Sequence, residues 1–204
     1  MKTKIEKVDI DWLNIKNLCR ATISMDKSEV EPAQEWKRKL LIARHSPLRA
    51  GEIQWKWNEI PYAISTHFAR HVHSEKWIST SRADRTEIKD RSERSQMDNV
   101  SMTMRSNIDA LQAMAEKRLC FQADETTRGY MEDLVEAVGE YDKDVAWSLV
   151  PTCIRTAGCP EKFGKCQFFE KLTEDWTKEE IVDIQTRYDK YNEYRGNIRV
   201  RRKK

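Results

Sequence analysis

Residues 51–82, "GEIQWKWNEIPYAISTHFARHVHSEKWISTSR", change pattern twice within one short stretch. In "GEIQWKWNEI" the residues Ile53, Trp55 and Trp57 alternate with polar neighbours, which is the period of a strand with one buried face. Pro61 then opens "PYAISTHFARHV", predicted as a helix because proline is tolerated in a first helical turn. "WISTSR" follows as a short extended piece. A strand, a helix and an extended segment without regular βα alternation read as an α+β fold.

The flanking sequence fits that class. "KIEKVDI" alternates apolar and charged residues and predicts a strand. "DWLNIKNLCRATI" carries Trp12, Ile15, Leu18 and Cys19 at helical spacing, and "EPAQEWKRKLLIARH" is a second helix with Pro32 near its first turn. Further on, Val100, Met104, Ile108, Leu111, Ala115 and Leu119 recur at steps of three and four. This predicts one long helix from about Asn99 to Val138, with a weak point near Gly129. "WSLVPTCIRTAGCPEKFGKC" is rich in Gly, Pro and Cys and is expected to be irregular. "TKEEIVDIQTRYDKYNEY" predicts a final amphipathic helix with Ile181, Ile184, Tyr188 and Tyr191 on one face.

Composition narrows the class of protein. The chain has 204 residues, 39% hydrophobic and 35% charged, enough for one medium domain with a core. Seven tryptophans argue against disorder. No run approaches the roughly 20 apolar residues that span a bilayer. The start "MKTKIEKVDIDW" lacks the apolar stretch of a signal peptide, so a cytoplasmic protein without membrane contact is expected. A net charge of +3 says little about partners. The tail "RGNIRVRRKK" reads as a solvated, mobile end or as a non-specific contact to nucleic acid, and no specific nucleic-acid partner is expected.

The residues that carry chemistry cluster between His67 and Arg118. His67 and His71 are four apart and share a helix face, whereas His71 and His73 are too close to do so. There is no HExxH, and Glu75 is poorly placed as a ligand, so no metal site is expected. A surface or helix-end role and the binding of an anion both remain open. Arg70, Arg82, Arg85 and Arg91 surround Ser79, Thr80 and Ser81. Planar guanidinium forks with interspersed hydroxyls suit a phosphate. Asn107 and Arg118 are eleven residues apart, which on a helix puts them near one face and about 16 Å apart. That face also carries Leu111 and Ala115, so Arg118 points toward a core or interface. Its partner is either an internal carboxylate or a ligand carbonyl or phosphate.

The five cysteines read as free thiols in a reducing compartment. Cys153, Cys159 and Cys166 lack the tight CxxC spacing of a zinc ribbon. Packed thiols, or three thiolates with a fourth ligand, both fit. Cys120 is a buried thiol or a pocket residue, with nothing nearby to activate it as a nucleophile.

These residues also carry a family resemblance, covering about Arg44 to Cys166. "RHVHSEKWISTSR" resembles the signature of flavin-dependent thymidylate synthases: Arg-His-Arg, seven residues, then Ser. Arg70 and His71 match its first two positions, and Val72 stands in place of the second arginine. Thr80 falls at the serine position with Ser81 beside it, and Arg82 matches the arginine two residues later. "NIDALQAMAEKRLC" is similar to the family's later helix, with Asn107 and Arg118 matching and Asp109 and Ala113 replacing an arginine and an asparagine. "QADETTR" resembles the "AQWEIR" that follows in the family. "CIRTAGCPEKFGKC" is similar to the cysteine segment of shorter phage- or Clostridium-like members. The connection from Arg82 to Asn107 is several dozen residues long in the usual family and much shorter here.

The resemblance implies helices packed on a small, mainly antiparallel sheet with a long central helix. It implies a catalytic domain over 1–170, followed by a C-terminal helix and basic tail over 171–204. It implies a homotetramer with shared active sites, FAD as cofactor, and dUMP as the pyrimidine deoxynucleotide substrate. Methylene-tetrahydrofolate is the implied carbon donor and NADPH the implied electron source. A host-cytoplasmic location is implied if the chain is phage-encoded. By position, Thr80, Ser81 and Arg82 would bind the nucleotide phosphate, Arg91 would contact the nucleotide, and His67 would lie near it. Arg118 would bind the pyrimidine edge and act catalytically, while Arg70, His71 and Asn107 would contact FAD. The departures at Val72, Asp109 and Ala113 admit two other outcomes: a nucleotide hydroxymethylase, or a non-catalytic protein of the same fold.

Overall fold

The structure is a computed structural model that describes residues 3–79, 92 and 95–202, with side chains described as far as residue 197. Four strands, β1 (Lys4–Asp9), β2 (Glu52–Pro61), β3 (Ser74–Ile78) and β4 (Asn99–Asn107), form one sheet in the order β1-β2-β4-β3. Every neighbouring pair is antiparallel. With the helices on one face, this is the expected α+β architecture.

Period-2 patterning explains the two central strands. Ile53, Trp55 and Trp57 of β2 are buried, as are Val100, Met102 and Met104 of β4. A register break between Trp57 and Ile60 lets Ile60 face inward as well. Against this face lie α1 (Trp12–Ala21), α2 (Gln34–Ala43), α3 (Tyr62–Ala69), α4 (Ile108–Arg118) and α5 (Glu125–Gly139). Trp57 is the meeting point: its ring centroid is 4.6 Å from that of Phe68 on α3 and 5.7 Å from that of Tyr130 on α5. Its indole N–H donates to Thr3 Oγ1 at 2.8 Å.

A second apolar cluster joins α6 (Lys143–Ser148), α7 (Thr152–Thr156), α8 (Phe168–Leu172) and α10 (Ile184–Arg202) through Trp147, Ile154, Phe168, Phe169, Tyr188 and Tyr191. The short α9 (Lys178–Val182) begins with a capping box between Thr177 and Glu180.

Three expectations are corrected. The stretch Asn99–Val138 is not one helix but β4, α4 and α5. Its first nine residues also alternate, with Val100, Met102, Met104 and Ser106 buried, and pairing with β2 and β3 outweighs the helical period. The break falls after Arg118, and α5 restarts where Asp124 caps the N–H of Thr127; Gly129 lies inside α5. The cysteine segment is partly helical, because Pro151 opens α7. The C-terminal helix divides at Asp183, and α10 runs on into the basic segment as far as Arg202.

Candidate active site

The α3–β3 turn and the end of α4 meet. Arg118, the last residue of α4, donates from Nε to His71 Nε2 at 2.9 Å and from Nη2 to the carbonyl oxygen of His67 at 2.6 Å. No carboxylate among the described residues pairs with it. Two of its donors are spent on these neutral acceptors, which leaves three of the five that a guanidinium carries. Of the two partners expected for Arg118, the internal carboxylate is therefore not found among the described residues. Burial, and then the charge of Arg70, pull the Arg118 pKa below the ordinary guanidinium value.

The bond to Arg118 fixes the state of His71. Its Nε2 must carry the lone pair, so the proton of the neutral ring sits on Nδ1. Burial first, then the charges of Arg118 and Lys76, lower its pKa to about 4. The ring is half-buried and neutral near pH 7, and Lys76 closes the turn by donating to the His71 carbonyl at 3.3 Å.

A pH dependence of stability follows. A histidine whose folded pKa is depressed binds its proton better when unfolded, so its contribution is complete above pH 6.5 and is lost as pH falls toward about 4. The melting temperature is expected to fall between pH 7 and pH 5, and the His71→Gln variant should show a smaller fall. An equal fall in the two proteins would contradict this assignment.

His67 is held from the other side. Its Nδ1 lies 2.7 Å from Thr127 Oγ1, and Thr127 is fully buried at the start of α5. Thr127 Oγ1 is in turn 3.2 Å from Asp124 Oδ1, which also accepts the Thr127 backbone N–H at 2.9 Å. That backbone bond is the main cause holding the Asp124 carboxyl below its usual range. The sequence reading missed Thr127 and Asp124; "DETT", an N-cap with a hydroxyl three residues on, was the available signal.

The structure thus gathers His67, His71 and Arg118, with Arg70 near enough for its charge to act on Arg118. Arg70 is exposed at the end of α3. Asn107 is not part of this group. It caps α4 at the opposite end, accepting from the Ala110 N–H at 2.8 Å, about 16 Å along the helix. Val72 is exposed on the turn and adds no charge. Thr80, Ser81, Arg82 and Arg91 lie outside the described residues, as does Arg85.

Asp109 has a visible job. Arg44, in a left-handed conformation after α2, reaches its Oδ1 at 2.7 Å and Glu116 Oε1 at 2.8 Å, and Arg49 reaches Asp109 Oδ2 at 3.2 Å. The Arg44–Asp109 pair is largely buried, so Asp109→Asn is expected to cost about 1–3 kcal/mol. Asp109→Arg should cost more, since it faces two arginines with a third. Chemical denaturation of the three proteins would check the order.

No protein-family model matches the sequence, and no curated protein matches it by sequence. Solved structures do resemble it. One is a UMP/dUMP methylase, PolB from Streptomyces cacaoi, bound with 5-Br dUMP, at 10% identity and a TM-score of 0.60 over 72% of this chain and 93% of that one. Another is Thymidylate Synthase X (ThyX) from Helicobacter pylori with FAD and dUMP, at 11% identity and a TM-score of 0.61 over 73% of this chain and 99% of that one. A further complex of the flavin-dependent ThyX from Helicobacter pylori with FAD and dUMP gives a TM-score of 0.60 at 11% identity. The four-stranded sheet, with the histidine-bearing α3 and the arginine-ended α4 brought together beside it, has the fold of the flavin-dependent thymidylate synthase ThyX.

Proposed function

We propose that the chain is a flavin-dependent enzyme that alkylates C5 of a pyrimidine deoxynucleotide, in its simplest form converting dUMP to dTMP. Methylene-tetrahydrofolate would give the carbon and NADPH the electrons. One observation carries the reading: Arg118 is half-buried and meets two neutral acceptors and no carboxylate among the described residues. A guanidinium in that state retains charge and donors for an anionic or carbonyl-rich ligand.

The residues take the following roles. Arg118 binds O2 or O4 of the pyrimidine and stabilises the negative charge that develops there as C5 becomes nucleophilic. His71 holds that guanidinium in place through Nε2 and offers its Nδ1–H as a donor. His67, fixed by Thr127, lies beside the nucleotide. Thr80, Ser81 and Arg82 bind the phosphate, and Arg91 contacts the nucleotide. Bound FAD would supply the redox chemistry. Arg70 and His71 form a cationic, donor-rich end that suits this cofactor. The far end of α4 suits it less, because Asn107 spends its side-chain oxygen on capping and Asp109 adds negative charge. The working form is a cytoplasmic homotetramer whose subunits share active sites, with a catalytic domain over 1–170 and a C-terminal helix and tail over 171–204.

Asp109 and Val72 favour a second reading, a protein that keeps the fold without catalysis, because neither supplies the cation expected at its position. Release of tritium from dUMP labelled at C5, in the presence of FAD, methylene-tetrahydrofolate and NADPH, separates the two. Release supports the enzyme, and the mass of the nucleotide product distinguishes methyl from hydroxymethyl transfer. Retention of all the tritium supports the second reading.

A further inference from the structure

Four of the five cysteines line a single cavity of about 540 Å³. Cys120 follows α4, Cys153 is buried within α7, and Cys159 and Cys166 lie on the connection from α7 to α8. That connection, residues 157–167, has no regular structure. It is entered through a left-handed Ala157 and left through a left-handed Gln167. Apart from Gly158, all its residues but Cys159 and Cys166 are exposed, including Phe163. A loop of this length normally buries an apolar side chain to hold its path. Here the two side chains held partly out of solvent are thiols, on a cavity that Cys120 and Cys153 also line. One cross-contact is the side-chain amide of Gln122 donating to the Gly164 carbonyl. Burial pushes the Cys153 thiol up to about 12, with Cys120, Cys166 and Cys159 close enough to push it the same way.

We propose that Cys120, Cys153, Cys159 and Cys166 are the ligands of a structural zinc-class ion. Four thiolates from three parts of the chain suit a tetrahedral, thiophilic cation and no hard one. The cage is not preset: no group of three or more His, Cys, Asp or Glu side chains among the described residues is already arranged to hold a metal. Binding draws the 157–167 loop inward, and the ligating thiols release their protons to solvent. Cys120 lies two residues beyond Arg118, so the ion also ties this loop to the end of α4. The sequence spacing does not reveal this set, because Cys120 lies 33 residues before Cys153 and no tight CxxC pair is present.

The test uses the full chain, stripped of metal under reducing conditions and titrated with Co²⁺ alone and then with Zn²⁺. The expected result is stoichiometric Co²⁺ uptake with strong thiolate-to-metal charge transfer and the visible bands of a tetrahedral site, displaced by Zn²⁺. Zn²⁺ should also protect four of the five thiols from alkylation. Cys159→Ser and Cys166→Ser alter an otherwise exposed loop and are expected to lower Zn²⁺ affinity by at least tenfold with unchanged circular dichroism. Cys19→Ser, outside the cavity, should bind as the parent does. Thiols that alkylate equally with and without Zn²⁺, or a disulfide among these four in the freshly purified protein, would overturn the proposal. Neither readout depends on flavin or on turnover.

Discussion

Replacing Arg118 with alanine is expected to lower kcat/KM for the nucleotide by about 100- to 1000-fold, the usual loss when one donor to a developing oxyanion is removed. The side chain acts twice. It holds the His71 ring and the His67 carbonyl together, and in the proposed reaction it would also donate to the ligand. Arg118→Lys keeps the charge but loses the fork, so one ammonium cannot span His71, His67 and a ligand at once. Lysine is therefore expected to recover little activity. Steady-state kinetics of both variants, with nucleotide affinity measured separately, would check this. An alanine variant that turns over within a few-fold of the parent would remove Arg118 from the site.

The largest loss of stability is expected at Trp57. Its side chain is almost wholly buried and touches both helices that hold His67, through Phe68 on α3 and Tyr130 on α5. Trp57→Ala leaves a cavity there and strips Thr3 Oγ1 of the indole N–H, for a cost of about 3–5 kcal/mol. For a chain of this length that corresponds to a fall in Tm of roughly 6–20 °C. Trp57→Phe keeps most of the packing and loses the hydrogen bond, so its cost should be distinctly smaller. Equal losses from the two substitutions would show that the hydrogen bond, and not the packing, is what matters.

The sheet was legible where one period dominated. In β2 the tryptophans alternate with Gln54 and Lys56, and no helical reading competes. β4 was misread because Val100, Met104 and Ile108 satisfy a step of four, while Val100, Met102 and Met104 satisfy a step of two. Nine residues are too few for the period alone to decide, and the partners that decide it, β2 and β3, are distant in sequence. The site was legible in part. The shared helix face of His67 and His71 is not found, because α3 ends at Ala69 and His71 lies in the turn that follows. Arg118 was read as facing inward. What it faces is a tertiary fact: a histidine 47 positions earlier, brought back by the sheet. Asn107 illustrates the limit from the other side. The eleven-residue spacing put it on a helix face, but it is the last residue of β4 and the N-cap of α4, where its oxygen accepts from the Ala110 N–H.

The most direct test of the central claim is retention of FAD. The 204-residue chain is mixed with FAD, with or without dUMP, and passed through a desalting column before its visible spectrum is recorded. The expected result is a yellow protein with stoichiometric flavin, held more firmly when dUMP is present, and weakened retention in His71→Gln. A colourless protein in both conditions would contradict it.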